Sequence, residues 1–241
     1  NGIRHNRFLA DLHRSHLFDW YMEIGCRSGR TFAPVRGKTI AVDPFFRVQE
    51  DVIGPKPALH VFQQTSDDFF ASGFLKAMKI KLSFSFLDGL HLFEFLLRDL
   101  MNTESHSAPS GIIALHDCCP FSVEMTTRSL ETTGPWTGDV WKLIPILQDY
   151  RPDLKLTMLD CKPTGIVLVS NLSPGNTVLK RKYDEIVARF EPLTLDSFGT
   201  DRFAASFAFT DARAYAAAGY PDLAAAALAQ DSFAPPQRTR T

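Results

Sequence analysis

The stretch Leu82-Ser83-Phe84-Ser85-Phe86-Leu87-Asp88-Gly89-Leu90-His91 constrains this chain more than any other. An apolar run ends in a carboxylate, turns on a glycine, and places an imidazole three residues past the carboxylate. Such a run with turn chemistry behind it reads as a strand buried on both faces, the pattern of a parallel sheet covered by helices. Gly111-Ile112-Ile113-Ala114-Leu115-His116-Asp117-Cys118 repeats it, an apolar strand followed by His-Asp. Ligands of open α/β sheets bind outside the carboxyl ends of the strands. Two neighbouring strands ending in Asp88/His91 and His116/Asp117 therefore predict one polar cluster at a sheet rim.

The rest of the chain supplies such a sheet. Trp20–Ile24, Thr39–Val42 and Leu59–Gln63 read as strands ahead of the Leu82 run, with Pro44 enforcing the stop of the second. Ile112–Leu115, Leu154–Leu159 and Gly165–Ser170 follow it, which makes seven. Arg30 to Lys38 leaves room for only a short helix or an irregular turn. Thr65-Ser66-Asp67-Asp68 opens a helix with an N-cap hydroxyl and acids in the first turn. Leu92–Glu104 is apolar almost all round, and Val178–Phe190 is amphipathic. Asp139–Tyr150 is helical but interrupted at Pro145, which predicts a kink or a restart there. Residues 118–138 form a long loop, the kind that carries function or acts as a lid. Strands alternating with helices predict an α/β, doubly wound, mostly parallel sheet over residues 1–192. Residues 193–230 then read as an alanine-rich helical extension, packing on the domain or on a second subunit, and 231–241 as a disordered tail.

Composition narrows the function. A formal charge of −1 leaves no strong positive field, which argues against nucleic-acid or acidic-membrane binding. Cys26, Cys118, Cys119 and Cys161 make no metal-knuckle or disulfide-framework spacing, so a reducing, cytoplasmic setting is expected. No apolar segment reaches the roughly 18–20 residues that span a bilayer, and no signal-peptide pattern opens the chain.

Glu23-Ile24-Gly25-Cys26-Arg27-Ser28-Gly29 follows the first strand, and Asp43 ends the second. Glycines there let the backbone approach a ligand, and an acid at that distance takes two ribose hydroxyls. The alternative is that the glycines serve tight packing and Asp43 caps a turn. The spacing departs from the dinucleotide G-x-G-x-x-G fingerprint. Together with Thr65-Ser66-Asp67, Leu87–His91, Leu115–Cys118 and Gly138-Asp139-Val140-Trp141-Lys142, the turn resembles class I S-adenosylmethionine-dependent methyltransferases, small bacterial Rossmann-like enzymes. That resemblance implies that the backbone of Gly25 to Gly29, with Cys26 and Arg27 inside the turn, lines the methionine part of the cofactor, that Asp43 holds the ribose, and that Glu23 and Thr65 are cofactor-binding residues. It places Ser66 and Asp67 by the adenine, and Asp88 by the methionine amine or a metal.

The likeness extends to metal-dependent O-methyltransferases of the catechol type, in which a basic residue follows the metal-binding aspartate by three positions, as His91 follows Asp88. On that footing His91 is the general base and Asp88 shares the catalytic role. Asp88, His116 and Asp117 are the candidate metal ligands. The two carboxylates suit Mg²⁺, and the imidazole completes a softer site for Mn, Fe or Zn. In a metal-free site His91 or His116 acts alone. The expected reaction is O-methylation of a small polar acceptor, a sugar or natural-product hydroxyl, by a protein that self-associates through its C-terminal helices. Asp139, Trp141 and Lys142 are acceptor-binding, interface or capping residues. The competing functions are an NAD(P)-type oxidoreductase and a catalytically inactive, cofactor-binding interaction protein.

Overall fold

A computed structural model describes residues 2–129 and 134–229. Its strands are β1 (Trp20–Ile24), β2 (Lys38–Val42), β3 (Leu59–Phe62), β4 (Leu82–Leu87), β5 (Ser107–His116), β6 (Lys155–Leu159), β7 (Ile166–Ser170) and β8 (Phe209–Thr210). They form one sheet in the order β3-β2-β1-β4-β5-β7-β6-β8. Only β7 runs against its neighbours. The α/β doubly wound, mostly parallel architecture read from the sequence is present, with eight strands rather than seven. The added strand is two residues long, too short to leave a periodic signal, and pairs in parallel with β6.

Parallel strands covered on both faces must be apolar on both faces, and all six residues of β4 are buried. Alternate residues feed two cores. Met22, Ile24 and Leu87 pack under the helices Ser66–Ala71, Phe93–Ser105, Leu143–Tyr150 and Tyr183–Phe190. Tyr21, Phe84 and Phe86 pack on the other face with Phe8 and Leu12 of helix His5–Ser15, and with Ala212, Tyr215 and Leu223 of the C-terminal region. The stretch from Arg30 to Lys38 folds as turns, with Phe32 and Val35 buried against this second core. A 3-10 turn, Val140–Lys142, runs straight into an α-helix, Leu143–Tyr150, so the helical stretch restarts two residues before Pro145. The helix begins at Leu143, so the proline sits in the first turn, where its missing N–H has no partner to lose.

One register decides where the polar residues go. Ile24 pairs with Val42 and with Leu87, and Leu87 with Leu115. The residues that follow, Gly25, Asp43, Asp88 and His116, therefore form a row along a single edge. Behind them, Arg151 makes a two-pronged pair with Glu104 (2.7 and 2.8 Å), and a Glu104 oxygen also accepts the N–H of Ser173 (2.9 Å). This ties the end of helix Phe93–Ser105 to the segments flanking β6 and β7. Among the described residues no helix is long and apolar enough to cross a membrane. The tail at 231–241, and Thr132-Thr133 in the long loop, lie outside the described residues.

Arg151→Met leaves Glu104 buried without its partner. It is expected to lower stability by about 3–5 kcal/mol, read as a reduced urea midpoint at unchanged slope.

Candidate functional site

Four side chains meet at the ends of β4 and β5. His116 Nδ1 lies 3.1 Å from Asp88 Oδ1 and 3.3 Å from Asp117 Oδ2. His91 Nε2 lies 3.4 Å from the same Asp88 oxygen and 3.2 Å from the same Asp117 oxygen. Two imidazoles thus bracket two carboxylates. Asp117 adopts a left-handed backbone (φ 59°), which turns its side chain back toward Asp88, and its other oxygen accepts the hydroxyl of Thr164. Asp88 keeps 23% of its side chain exposed, so the cluster is reachable from solvent.

Electrostatics follow from that arrangement. Burial pushes the Asp88 carboxyl up, but His116 and His91 outweigh it and hold the group well below the usual carboxylate range. Burial lowers His116, and the two carboxylates more than reverse this, raising it to about 10. His91 is shifted upward by the same balance. His5, whose ring centroid lies 4.2 Å from that of His116, is pulled below its ordinary value by burial and by the facing imidazole. The contacts thus favour the ionised form of Asp88 and the protonated form of His116 and His91, and disfavour the protonated form of His5.

His91 is held from the loop side. Its Nδ1 faces the Trp136 carbonyl at 3.2 Å, so Nδ1 donates and Nε2 is the nitrogen turned to the carboxylates. The Trp136 ring stacks on it with centroids 5.0 Å apart. Gly138 (φ 53°) has no room for a side chain, since a Cβ would fall 1.7 Å from the His91 carbonyl oxygen. Asp139 Oδ1 caps the Phe93 N–H at 2.9 Å, while Oδ2 takes Arg128 at 2.6 Å and Lys142 at 2.8 Å. Asp139, Trp141 and Lys142 are buried, with Asp139 in the capping role.

At the β1 end the residues are near the cluster but differently employed. Glu23 is fully buried and accepts the hydroxyls of Tyr21 and Thr31. Being on the Tyr21 side of the strand, it points into the second core. Burial raises its carboxyl to about 8, against the two hydroxyl bonds that favour the charged form. Gly25 (φ 88°) brings β1 against β4, since a Cβ there would sit 1.9 Å from the Asp88 carbonyl oxygen. Cys26 is buried with its thiol on the Glu23 carbonyl (3.2 Å). The space beside Gly29 is taken by a Val52 methyl. Asp43 accepts the N–H of Arg27 (2.8 Å) and of Phe45 (2.6 Å), one on each oxygen. A carboxylate offers about four lone-pair sites, so each oxygen can still accept once more.

Past β3, Thr65 caps its own helix through the Asp68 N–H (3.2 Å), and Asp67 forms a two-pronged pair with Arg98 (2.9 and 2.7 Å). Asp67, its side chain 43% exposed, keeps lone pairs for a further donor. Sequence reasoning missed Thr164, His5 and Trp136 as members of the site. Only His5 left a signal, in a histidine- and arginine-rich opening; the other two arrive by long-range packing.

The donor set passes a chemical test for a divalent cation. Ligand atoms of Asp88, His116 and Asp117 all lie within 4.8 Å of one another. Two carboxylate oxygens with an imidazole suit Mn, Fe or Zn better than Mg, which prefers oxygen alone.

No protein-family model and no curated protein matches the sequence. Among solved structures, the chain is similar to the MycE methyltransferase from the mycinamycin biosynthetic pathway in complex with Mg and SAH (14% identity, 78% of this chain and 53% of that one, TM-score 0.46). It is also similar to an O-methyltransferase family protein from Burkholderia thailandensis (11% identity, 71% and 56%, TM-score 0.49). A third is the O-methyltransferase from Bacillus cereus in complex with SAH (13% identity, 68% and 80%, TM-score 0.46). The chain spans about half the length of the first of these. Similarity at this level carries no information about activity.

Glu23 binds a proton more tightly folded than unfolded. The stability this shift carries is complete below its ordinary value of 4.5 and is lost as pH rises through about 8. Glu23→Gln removes the titration. Melting curves are expected to show the variant level with the wild type near pH ~4.5 and several degrees more stable near pH ~8.5.

Proposed function

We propose that the protein is an S-adenosylmethionine-dependent O-methyltransferase acting on a hydroxyl of a small molecule, a sugar or natural product, with His91 as general base. One observation carries the reading. The glycine turn, the strand-end acid Asp43 and the four-residue acid–imidazole cluster lie in one row on one sheet edge. A transfer between two bound molecules needs this adjacency of a nucleotide-type subsite and a proton-handling subsite.

The sulfonium cofactor supplies an electrophilic methyl group. The backbone of Gly25 to Gly29 and the remaining lone pairs of Asp43 are the groups fitted to hold it, with Asp88 beside them. His91 Nε2 takes the hydroxyl proton in its deprotonated form, and Asp88 and Asp117 stabilise the imidazolium that results. The Trp136 carbonyl keeps the ring in the tautomer this requires. A divalent metal on Asp88, His116 and Asp117 would supply Lewis-acid polarisation of the hydroxyl; filling that site requires His116 to give up its Nδ1 proton.

A second reading has a specific observation behind it. Asp43 bonds backbone N–H groups, Asp67 pairs with Arg98, and Val52 fills the space beside Gly29. These features favour a catalytically inactive protein whose acids serve the fold. An NAD(P)-type oxidoreductase has no comparable support.

Calorimetry separates these. Heat with S-adenosylmethionine and none with NAD is expected; the reverse sinks the reading, and no heat with either favours the inactive protein. His91→Ala is expected to cut transfer by about 10²–10⁴-fold while leaving cofactor binding intact.

Saturating Mn²⁺ is expected to raise the melting temperature, since at 100 times Kd it adds about 2.7 kcal/mol. Asp117→Asn should abolish that gain, and an equal gain in both proteins would count against the metal site.

A further inference from the structure

The same sheet edge carries a second feature. Past the four-residue cluster, between the loop after β5, the turn joining β6 to β7 and the C-terminal region, lies a cleft of about 470 Å³. Small-molecule pockets run from about 300 to 1,000 Å³. One wall is a chain of aromatic rings. Phe203 packs edge-to-face on the buried Trp141 (5.4 Å between centroids), Phe207 on Phe203 (5.3 Å), and Phe209 on Phe207 (5.3 Å). The chain starts in the core and climbs to the surface, from Phe203 at 4% exposure to Phe209 at 51%. Phe121, 65% exposed, lines the cleft from the β5 side. Aromatic faces left bare around a concavity offer area to a flat guest at low conformational cost.

Among the described residues the cleft has a single acidic group. Asp160 accepts the Ala212 N–H on Oδ1 at 2.8 Å, and Oδ2 has no hydrogen bond among the described residues. That oxygen favours a guest with a neutral or cationic donor and disfavours an anion. The cleft is also joined to the acid–imidazole cluster. Thr164, between the lining residues Pro163 and Gly165, donates its hydroxyl to Asp117, and its carbonyl accepts the N–H of Cys119 on the floor (3.1 Å).

We infer that this cleft binds the apolar body of a flat, uncharged aromatic molecule bearing a hydroxyl or amine. Resting on the methyl-transfer reading, it is where the acceptor's ring system lodges, which selects aromatic over sugar acceptors. The binding itself needs no cofactor and is tested apart from transfer.

Equilibrium dialysis of the full chain against 2-naphthol, with 2-naphthoate as the anionic counterpart, makes the measurement. The wild type is expected to bind 2-naphthol and to discriminate against 2-naphthoate by about tenfold or more. Phe121→Ala and Phe209→Ala, both surface truncations whose folding is checked by melting temperature, should each weaken 2-naphthol about three- to tenfold. Asp160→Asn keeps the bond to Ala212 and should narrow the discrimination. Unchanged binding in the two phenylalanine variants, or a wild type that binds no 2-naphthol, overturns the cleft and leaves the methyl-transfer reading standing. Binding that follows the expected pattern in a protein giving no heat with S-adenosylmethionine supports the cleft and overturns that reading.

Discussion

Two carboxylates cannot sit a few ångströms apart at the end of a covered sheet unless something balances them. Here Asp88 and Asp117 are delivered to that position by β4 and β5, and His91 and His116 provide the balance. The surrounding architecture serves that pairing. Burial works against the charged forms of His116 and Asp88; in contact, each stabilises the charged form of the other.

The pairing depends on segments distant in the chain. Helix His5–Ser15 places the His5 ring against His116, and its first N–H is tied to the Lys162 carbonyl (3.0 Å). The β6–β7 turn places Thr164 on Asp117. The loop before Asp139 holds His91 through the Trp136 carbonyl and is fastened by Arg128 bridging Glu94 and Asp139. The C-terminal region extends the sheet with β8, covers its second face through Tyr215 and Leu223, and contributes the aromatic wall of the cleft.

Much of the fold was legible in the sequence. An apolar run and the polar residues that terminate it are neighbours in the chain, so β4 with Asp88 and β5 with His116-Asp117 could be read locally. The donor atoms of Asp88, His116 and Asp117, read from the sequence as candidate metal ligands, lie within 4.8 Å of one another. The nucleotide end was less legible. Whether Asp43 faces a ligand or the Arg27 and Phe45 N–H groups depends on how the 25–37 turns fold back. Whether Asp67 is free depends on Arg98, a helix away. Pattern-reading assigns a residue to a place on a strand or helix; it does not say which partner reaches it first.

The sequence by itself determined the parallel strands, the edge at which they end and the kinds of chemical group delivered there, because hydrophobic periodicity and turn chemistry act over a few residues. The tertiary structure alone decided which acids remain available, which imidazole nitrogen faces them, and that an aromatic cleft opens beside them. Those outcomes rest on contacts between segments far apart in the chain, whose geometry is settled only when two cores pack on opposite faces of one sheet.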